Sequence, residues 1–264
     1  MRICYISNSA APSKNASSLQ TAKLCEAIAK IGHKVNLVLP NTGELNKNYF
    51  KFYNIKHKFK IKRLNYFNTF PRGINYYLYS FFSIYFSDYR KKDLFITRNF
   101  ITSFLLCLLK KKHIFEIHDD ISIEGRLVKF LVKKLKILNN DSILKIITTT
   151  RSLKNKYLKY GVTKKKVFVL HNASSLKSTM KKYNSNPQKL NIGYFGSIYN
   201  SRGIEMIIKI SKIDSKNNYF IYGGSKKQIS DIKKKLKNKN INFYPYIPYS
   251  KVYKKLLNID ICIL

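Results

Sequence analysis

Gly193, Gly196, Ser197 and Arg202 fall within one stretch of twenty residues, LNIGYFGSIYNSRGIEMIIK at positions 190–209. It reads as a buried strand, a turn of small residues and a helix that opens beside an arginine. Such a unit has the chemistry of an anion cradle. The glycines at 193 and 196 let another group come close to the backbone, a helix start points unpaired N–H groups outward, and Arg202 supplies a cation that keeps its proton. The ligand that fits is a phosphorylated one. Glycines at this spacing serve equally well to pack a helix on a sheet, and Arg202 would then be a solvated residue at a helix start. A second candidate is His118, which ends the run HIFEIH (113–118) and precedes Asp119 and Asp120. Open α/β sheets present ligand-facing groups at the carboxyl ends of their strands, and either aspartate could orient the imidazole. The structural alternative makes the histidine or the aspartates caps of the next turn. Glu116, inside the strand, reads as structural, and His171 receives no role.

These residues need a scaffold, and the alternation of patterns along the chain supplies one. Runs 2–7 and 35–39 read as strands around a helix over 19–31, with Ser17 or Ser18 as caps and Gly32 as its left-handed end. Further strands are expected at 94–97, 113–118, 144–149 and 167–170, with helices at 100–109, 128–138 and 152–160. After a polar, lysine-rich segment a second alternation begins: strands at 190–195, 219–222, 241–244 and 260–264, with helices at 204–213, 226–236 and 252–257. Short strands separated by helices imply parallel pairing. The expected fold class is therefore α/β, two Rossmann-like doubly wound parallel sheets, with domains at 1–172 and 190–264, a linker at 173–189, and ligand between them. The second sheet stops early.

Composition bounds the rest. The chain has 264 residues, 45% of them apolar, enough for a substantial core. Its longest apolar runs, 76–86 and 100–109, are too short to cross a bilayer, and no signal-peptide profile precedes the first strand, so a cytoplasmic location is expected. Lys and Arg total 51 against 13 acidic residues, a net charge of +38. That excess attracts phosphate backbones, but the lysines are spread along the whole chain with abundant Asn, Ile, Tyr and Phe, so a specific nucleic-acid partner is not expected. Attraction to an anionic membrane at the inner face is the better-supported electrostatic reading. The aromatic run YYLYSFFSIYF (76–86) reads by default as a buried helix, although aromatics beside lysines also suit a headgroup layer. Cys4, Cys25, Cys107 and Cys262 read as reduced core residues, and no metal-ligand spacing occurs.

Taken in order, the pieces resemble a GT-B glycosyltransferase of retaining family 4 over essentially the whole length. Gly32-His33-Lys34-Val35 is similar to the family's entry to strand two, and Phe115-Glu116-Ile117-His118-Asp119 to its strand ending in a His-Asp pair. Residues 146–160 with VFVLHN (167–172) resemble the run that closes the first domain. Ile192 to Ser197 with Arg202-Gly203-Ile204-Glu205 resembles the start of the donor domain, Gly223 and Gly224 its second strand end, and Asn242 to Pro248 the loop that holds the nucleobase. The resemblance implies transfer of a sugar from a nucleotide sugar to an acceptor with retention, with no metal and no bound cofactor. Arg202 with the backbone at Gly196 and Ser197 would hold the diphosphate, Gly223 and Gly224 would border it, and Tyr246 and Ile247 would flank the base. His118, oriented by Asp119 or Asp120, would meet sugar hydroxyls or place the acceptor. An envelope glycan, a lipopolysaccharide or a lipid-linked acceptor is the implied partner. Departures are Ser197 where the family usually has arginine, Arg202 for its lysine, Ala173 after Asn172 in place of glycine, and a first loop PSKNAS (12–17) without paired glycines. The family's glutamate pair would lie beyond Leu264, so a truncated donor domain is expected, with doubtful activity. A non-catalytic relic and a sugar-nucleotide epimerase of the same architecture are the alternatives.

Overall fold

The computed structural model describes residues 1–65, 72–87, 93–120, 126–173, 188–199, 202–236 and 238–263. The chain divides into two compact units, Met1–Ser174 and Ser175–Leu264. In the first, β1 (Arg2–Ile6), β2 (Lys34–Pro40), β3 (Lys60–Leu64), β4 (Leu94–Thr97), β5 (His113–Ile117), β6 (Ile143–Thr148) and β7 (Val167–Val169) form one parallel sheet in the order β3-β2-β1-β4-β5-β6-β7. The helices are α1 (Ala16–Lys30), α2 (Tyr49–Phe52), α3 (Arg72–Tyr85), α4 (Phe100–Leu108), α5 (Arg126–Lys133) and α6 (Arg151–Lys159). The second unit runs β8 (Asn191–Phe195), α7 (Ile204–Ile213), β9 (Asn218–Gly224), α8 (Lys226–Lys235), β10 (Ile241–Pro245), α9 (Tyr249–Leu256), β11 (Ile261–Ile263). Its parallel strands lie in the order β10-β9-β8-β11. Both sheets thus reverse their winding beside their first strand, between β1 and β4 and between β8 and β11. In such sheets the crevice beyond the carboxyl ends at that reversal is where ligands bind.

Central strands of a parallel sheet are covered on both faces and so read as continuous apolar runs. Successive residues still go to opposite sides. Tyr5, Leu37 and Leu39 join Ala22, Cys25, Tyr49 and Tyr53 in one cluster, whereas Cys4, Ile6 and Val38 join Ile84, Phe95 and Leu106 in another. A third cluster gathers Phe100, Phe115, Ile117, Val128, Leu131 and Ile146. In the second unit Tyr194, Tyr219, Ile221 and Phe243 pack with Ile204, Ile207 and Ile229. The alternate residues Phe195, Tyr222 and Tyr244 are register partners across β8, β9 and β10, and their rings stack with centroids 4.8 and 4.7 Å apart.

Several expectations need correction. Helix α1 starts at Ala16, with Asn15 as its N-cap, because the Ser18 hydroxyl donates instead to the Ala10 carbonyl at 2.8 Å. Helix α5 ends at Lys133, and Lys136, at φ 48°, introduces a separate 3-10 turn over Ile137–Asn139. Strand β3 and helix α2 lie in a region with no predicted element. Cys4, Cys25 and Cys107 are buried, but Cys262 is exposed on the edge strand β11. The aromatic run is helical, as α3, yet it is not a buried helix: Tyr77, Phe81, Tyr85 and Phe86 are exposed. Most of the expected linker at 173–189 lies outside the described residues.

Candidate active site

In the second unit, three adjacent parallel strands deliver the candidate donor residues to one end of the sheet: β8 leads into Gly196 and Ser197, β9 ends on Gly223 and Gly224, and β10 leads into Tyr246 and Ile247. The turns are tied to each other. The Gly196 N–H donates to the Tyr222 carbonyl at 3.0 Å, and the Tyr246 N–H to the Gly224 carbonyl at 3.2 Å. Gly223 has φ 133°, and a Cβ there would lie 1.9 Å from the Gly196 carbonyl oxygen, so only glycine fits. The close approach read from the glycines is therefore made within the protein. A Cβ on Gly196 would meet the Tyr194 hydroxyl at 2.6 Å, and one on Gly193 the Ile259 side chain at 2.8 Å. That Tyr194 hydroxyl donates to the Ser197 carbonyl at 3.0 Å and fixes the turn.

Of the three helix starts at this end, that of α9 follows Pro248 without a side-chain cap, and the other two differ. Helix α8 opens with a closed capping box: the Gln228 N–H donates to Ser225 Oγ at 3.2 Å and the Ser225 N–H to Gln228 Oε1 at 2.9 Å. Helix α7 opens at Gly203, in the left-handed region at φ 71°, and no side chain caps it. Its first N–H groups and the positive end of its dipole are left for an external acceptor. Arg202 immediately precedes it and is exposed, and its guanidinium makes no hydrogen bond or ion pair among the described residues. Glu205, also exposed, sits in the first turn of the helix.

The first unit holds His118 and Asp119, just past β5, and the neighbours differ from those expected. Tyr5 is fully buried on β1 and donates its hydroxyl to Glu116 Oε2 at 2.8 Å. The same carboxylate oxygen lies 3.7 Å from His118 Nε2. Burial first, and the Glu116 charge second, push the Tyr5 hydroxyl far above its ordinary pKa, so it remains a donor. Asp119 does not orient the ring: it is exposed, its side chain has no partner among the described residues, and its carbonyl accepts from the Tyr157 hydroxyl at 3.3 Å. Asp120 is engaged by Lys156 and by the Tyr160 hydroxyl. The carboxylate that faces His118 is Glu116, read from the sequence as structural. Its position two residues before His118 was the available signal, because period-two alternation puts such residues on one side. Arg98, immediately after β4 at the winding reversal, also escaped the sequence reading; it donates to the Ser17 carbonyl at 3.4 Å and to Gln20 Oε1 at 3.3 Å. The Gln20 amide in turn reaches Asn172 Oδ1 at 2.5 Å. The arrangement leaves His118 Nδ1 without a partner among the described residues and the ring partly accessible, able to bind a hydroxyl.

Comparison with known proteins gives the family and the fold. The sequence profile described as Glycosyltransferase Family 4 matches residues 18–177, more than half of the chain. A search of curated protein sequences gave no match. Among solved structures, the chain is similar to HepE from Anabaena in complex with UDP-glucose, at TM-score 0.65 and 10% identity over 99% of this chain and 73% of that one. It is similar to a mutant of S. aureus TarM in complex with fondaparinux, α-GlcNAc-glycerol and UDP, at 0.68 and 11% over 99% and 80%. It also matches the UDP-GlcNAc 2-epimerase from Neisseria meningitidis bound to UDP-GlcNAc, at 0.58 and 13% over 99% and 77%. At such identities the likeness is one of fold, the two-sheet GT-B architecture. The family profile is more specific, and it runs through the strand ends that carry Arg98, Glu116 and His118: the chain belongs to glycosyltransferase family 4.

Proposed function

We propose that this protein moves a glycosyl group from a nucleotide sugar, with UDP the favoured nucleotide, to a hydroxyl of an envelope glycan or lipid-linked acceptor, with retention at the anomeric carbon. Family membership supports the reaction class, and the bound UDP and UDP-glucose of the HepE structures support the donor. A similar structure described as a lipopolysaccharide outer core galactosyltransferase supports the acceptor class. The observation that carries the reading is the meeting of the Gly196, Gly223 and Tyr246 turns at the sheet end where α7 begins uncapped beside Arg202.

In this reading the bond from the anomeric carbon to the diphosphate oxygen breaks, the acceptor oxygen takes its place on the same face, and the acceptor proton passes to the departing diphosphate. The departing diphosphate gains negative charge. Arg202 and the first N–H groups of α7 neutralise it without a metal ion, as dipoles and cations aimed at developing charge do. Tyr246 and Ile247 flank the base, Gly223 and Gly224 border the diphosphate, and Ser197 offers a hydroxyl. His118 binds a hydroxyl of the donor sugar or acceptor, with the Glu116 carboxylate 3.7 Å from its Nε2, while the exposed Asp119 carboxylate is available to the acceptor.

Incubation with UDP-glucose, UDP-galactose and UDP-GlcNAc, with and without a glycan acceptor, tests the reaction. Acceptor extended by one sugar in the donor's anomeric configuration is expected. A product of unchanged mass without acceptor would favour the epimerase reading, which the similarity to the Neisseria enzyme keeps in play.

A further inference from the structure

We propose that the first unit docks on an anionic lipid bilayer through the outward face of α3 and the adjoining carboxyl end of α4. The inference stands on that surface alone and does not depend on the transfer reaction.

Helix α3 is amphipathic in the wrong sense for a helix that only covers a sheet. Toward the protein it turns Asn75, Ser80, Ser83 and Ser87, each no more than 3% exposed, together with Tyr79 and Ile84. Toward solvent it turns Ile74, Tyr77, Phe81 and Tyr85, continued by Phe86, which are 44% to 72% exposed. The spacing 74, 77, 81, 85 draws one stripe along the helix, about 17 Å long at 1.5 Å per residue. A helix stabilised by its own fold alone would carry the opposite pattern. The buried serines are satisfied locally, Ser80 Oγ donating to the Tyr76 carbonyl at 2.8 Å, Ser83 Oγ to Ser80 at 2.9 Å and Ser87 Oγ to Ile84 at 2.7 Å. They let α3 lie close to the sheet without spending its large side chains there.

The apolar stripe continues onto a neighbour. Helices α3 and α4 pack side by side, and each leads from the carboxyl end of one parallel strand to the amino end of the next. Their carboxyl ends therefore lie at the same end of the sheet, where Leu108 and Leu109 on the one and Tyr85 and Phe86 on the other are exposed. Lys110, Lys111 and Lys112 follow directly, and residues 72–87 contain no acidic side chain. Aromatic rings with polar tips next to lysines match the chemistry of a lipid headgroup layer. Charge chooses the occupant: a protein of net charge +38 is drawn to an anionic surface and repelled from a second copy of itself. Among the described residues no helix is long and apolar enough to cross a membrane, so the contact is peripheral.

Co-sedimentation with vesicles of equal parts phosphatidylglycerol and phosphatidylcholine, at physiological salt, tests this. The combined Tyr77→Ser, Phe81→Ser and Tyr85→Ser variant should bind roughly tenfold more weakly than the parent. A control that removes exposed apolar groups from α7, Met206→Ser with Ile210→Ser and Ile213→Ser, should bind as the parent does. The chain has no tryptophan, so Phe81→Trp provides a second readout: its emission should shift to the blue on adding these vesicles and not pure phosphatidylcholine, while Met206→Trp stays unchanged. Equal binding of parent and α3 variant, equal losses in both variants, or a Phe81→Trp shift that follows protein concentration without lipid would overturn the proposal.

Discussion

Glu116 is the side chain whose surroundings say most about how His118 is held. A buried carboxylate is tolerated only when hydrogen-bonded, and Tyr5 supplies the hydrogen bond from the neighbourhood of β1. Tyr5→Phe should leave that oxygen short of a donor and cost about 1–3 kcal/mol, read as a lower urea midpoint; a loss below about 0.5 kcal/mol would mean the contact is incidental. His113 makes a different prediction. Its Nδ1 faces the Lys111 carbonyl at 2.9 Å, which only accepts, so Nδ1 carries the proton and Nε2 accepts from Ser103 Oγ at 2.8 Å. Burial, reinforced by the Lys166 charge and opposed by the bond to Lys111, pushes its pKa from 6.5 down to about 4. Above pH 6.5 folded and unfolded forms are both neutral there. As pH falls toward 4 the unfolded chain takes up the proton first, and about 3 kcal/mol of stability is lost over that window. His113→Gln should remove this part of the slope in pH-dependent denaturation, and an unchanged slope would assign it elsewhere. Arg202, His118 and the glycines could be singled out as candidates from their residue types. The contacts of Glu116, Tyr5 and Arg98 could not be read that way, because they join segments far apart in sequence that the sheet order makes neighbours.

At the scale of elements, the turn pair Gly196–Gly223 holds the carboxyl ends of β8 and β9 together. Gly223→Ala would force a Cβ onto the Gly196 carbonyl at a backbone angle that side chains avoid, so both turns must move. The expected result is a loss of more than about 2 kcal/mol in stability together with loss of nucleotide binding; a variant as stable as the parent would contradict the turn geometry. Central strands such as VNLVL were readable because both faces are buried. Strand β3, KIKRL, was not: as an edge strand of the first sheet it carries lysines that blunt edge pairing and mask the apolar alternation of Phe59 and Ile61. The inward serines of α3 misled for a related reason, since the helix satisfies their hydroxyls with its own carbonyls and leaves its aromatics outside.

For the whole molecule, the repeated alternation of strand and helix foretold two parallel sheets, and both have the same winding order about their first strand. What sequence patterns did not convey is which strands become neighbours, and with them the end of each sheet where loops gather. The claim that matters most is that the uncapped start of α7 and Arg202 hold a diphosphate. Thermal unfolding with UDP measures it directly: at a hundred times the dissociation constant the parent should gain about 2.7 kcal/mol. Arg202→Ala should lose most of that gain and Lys233→Ala should keep it. Equal gains in the two variants, or none in the parent, would contradict the account.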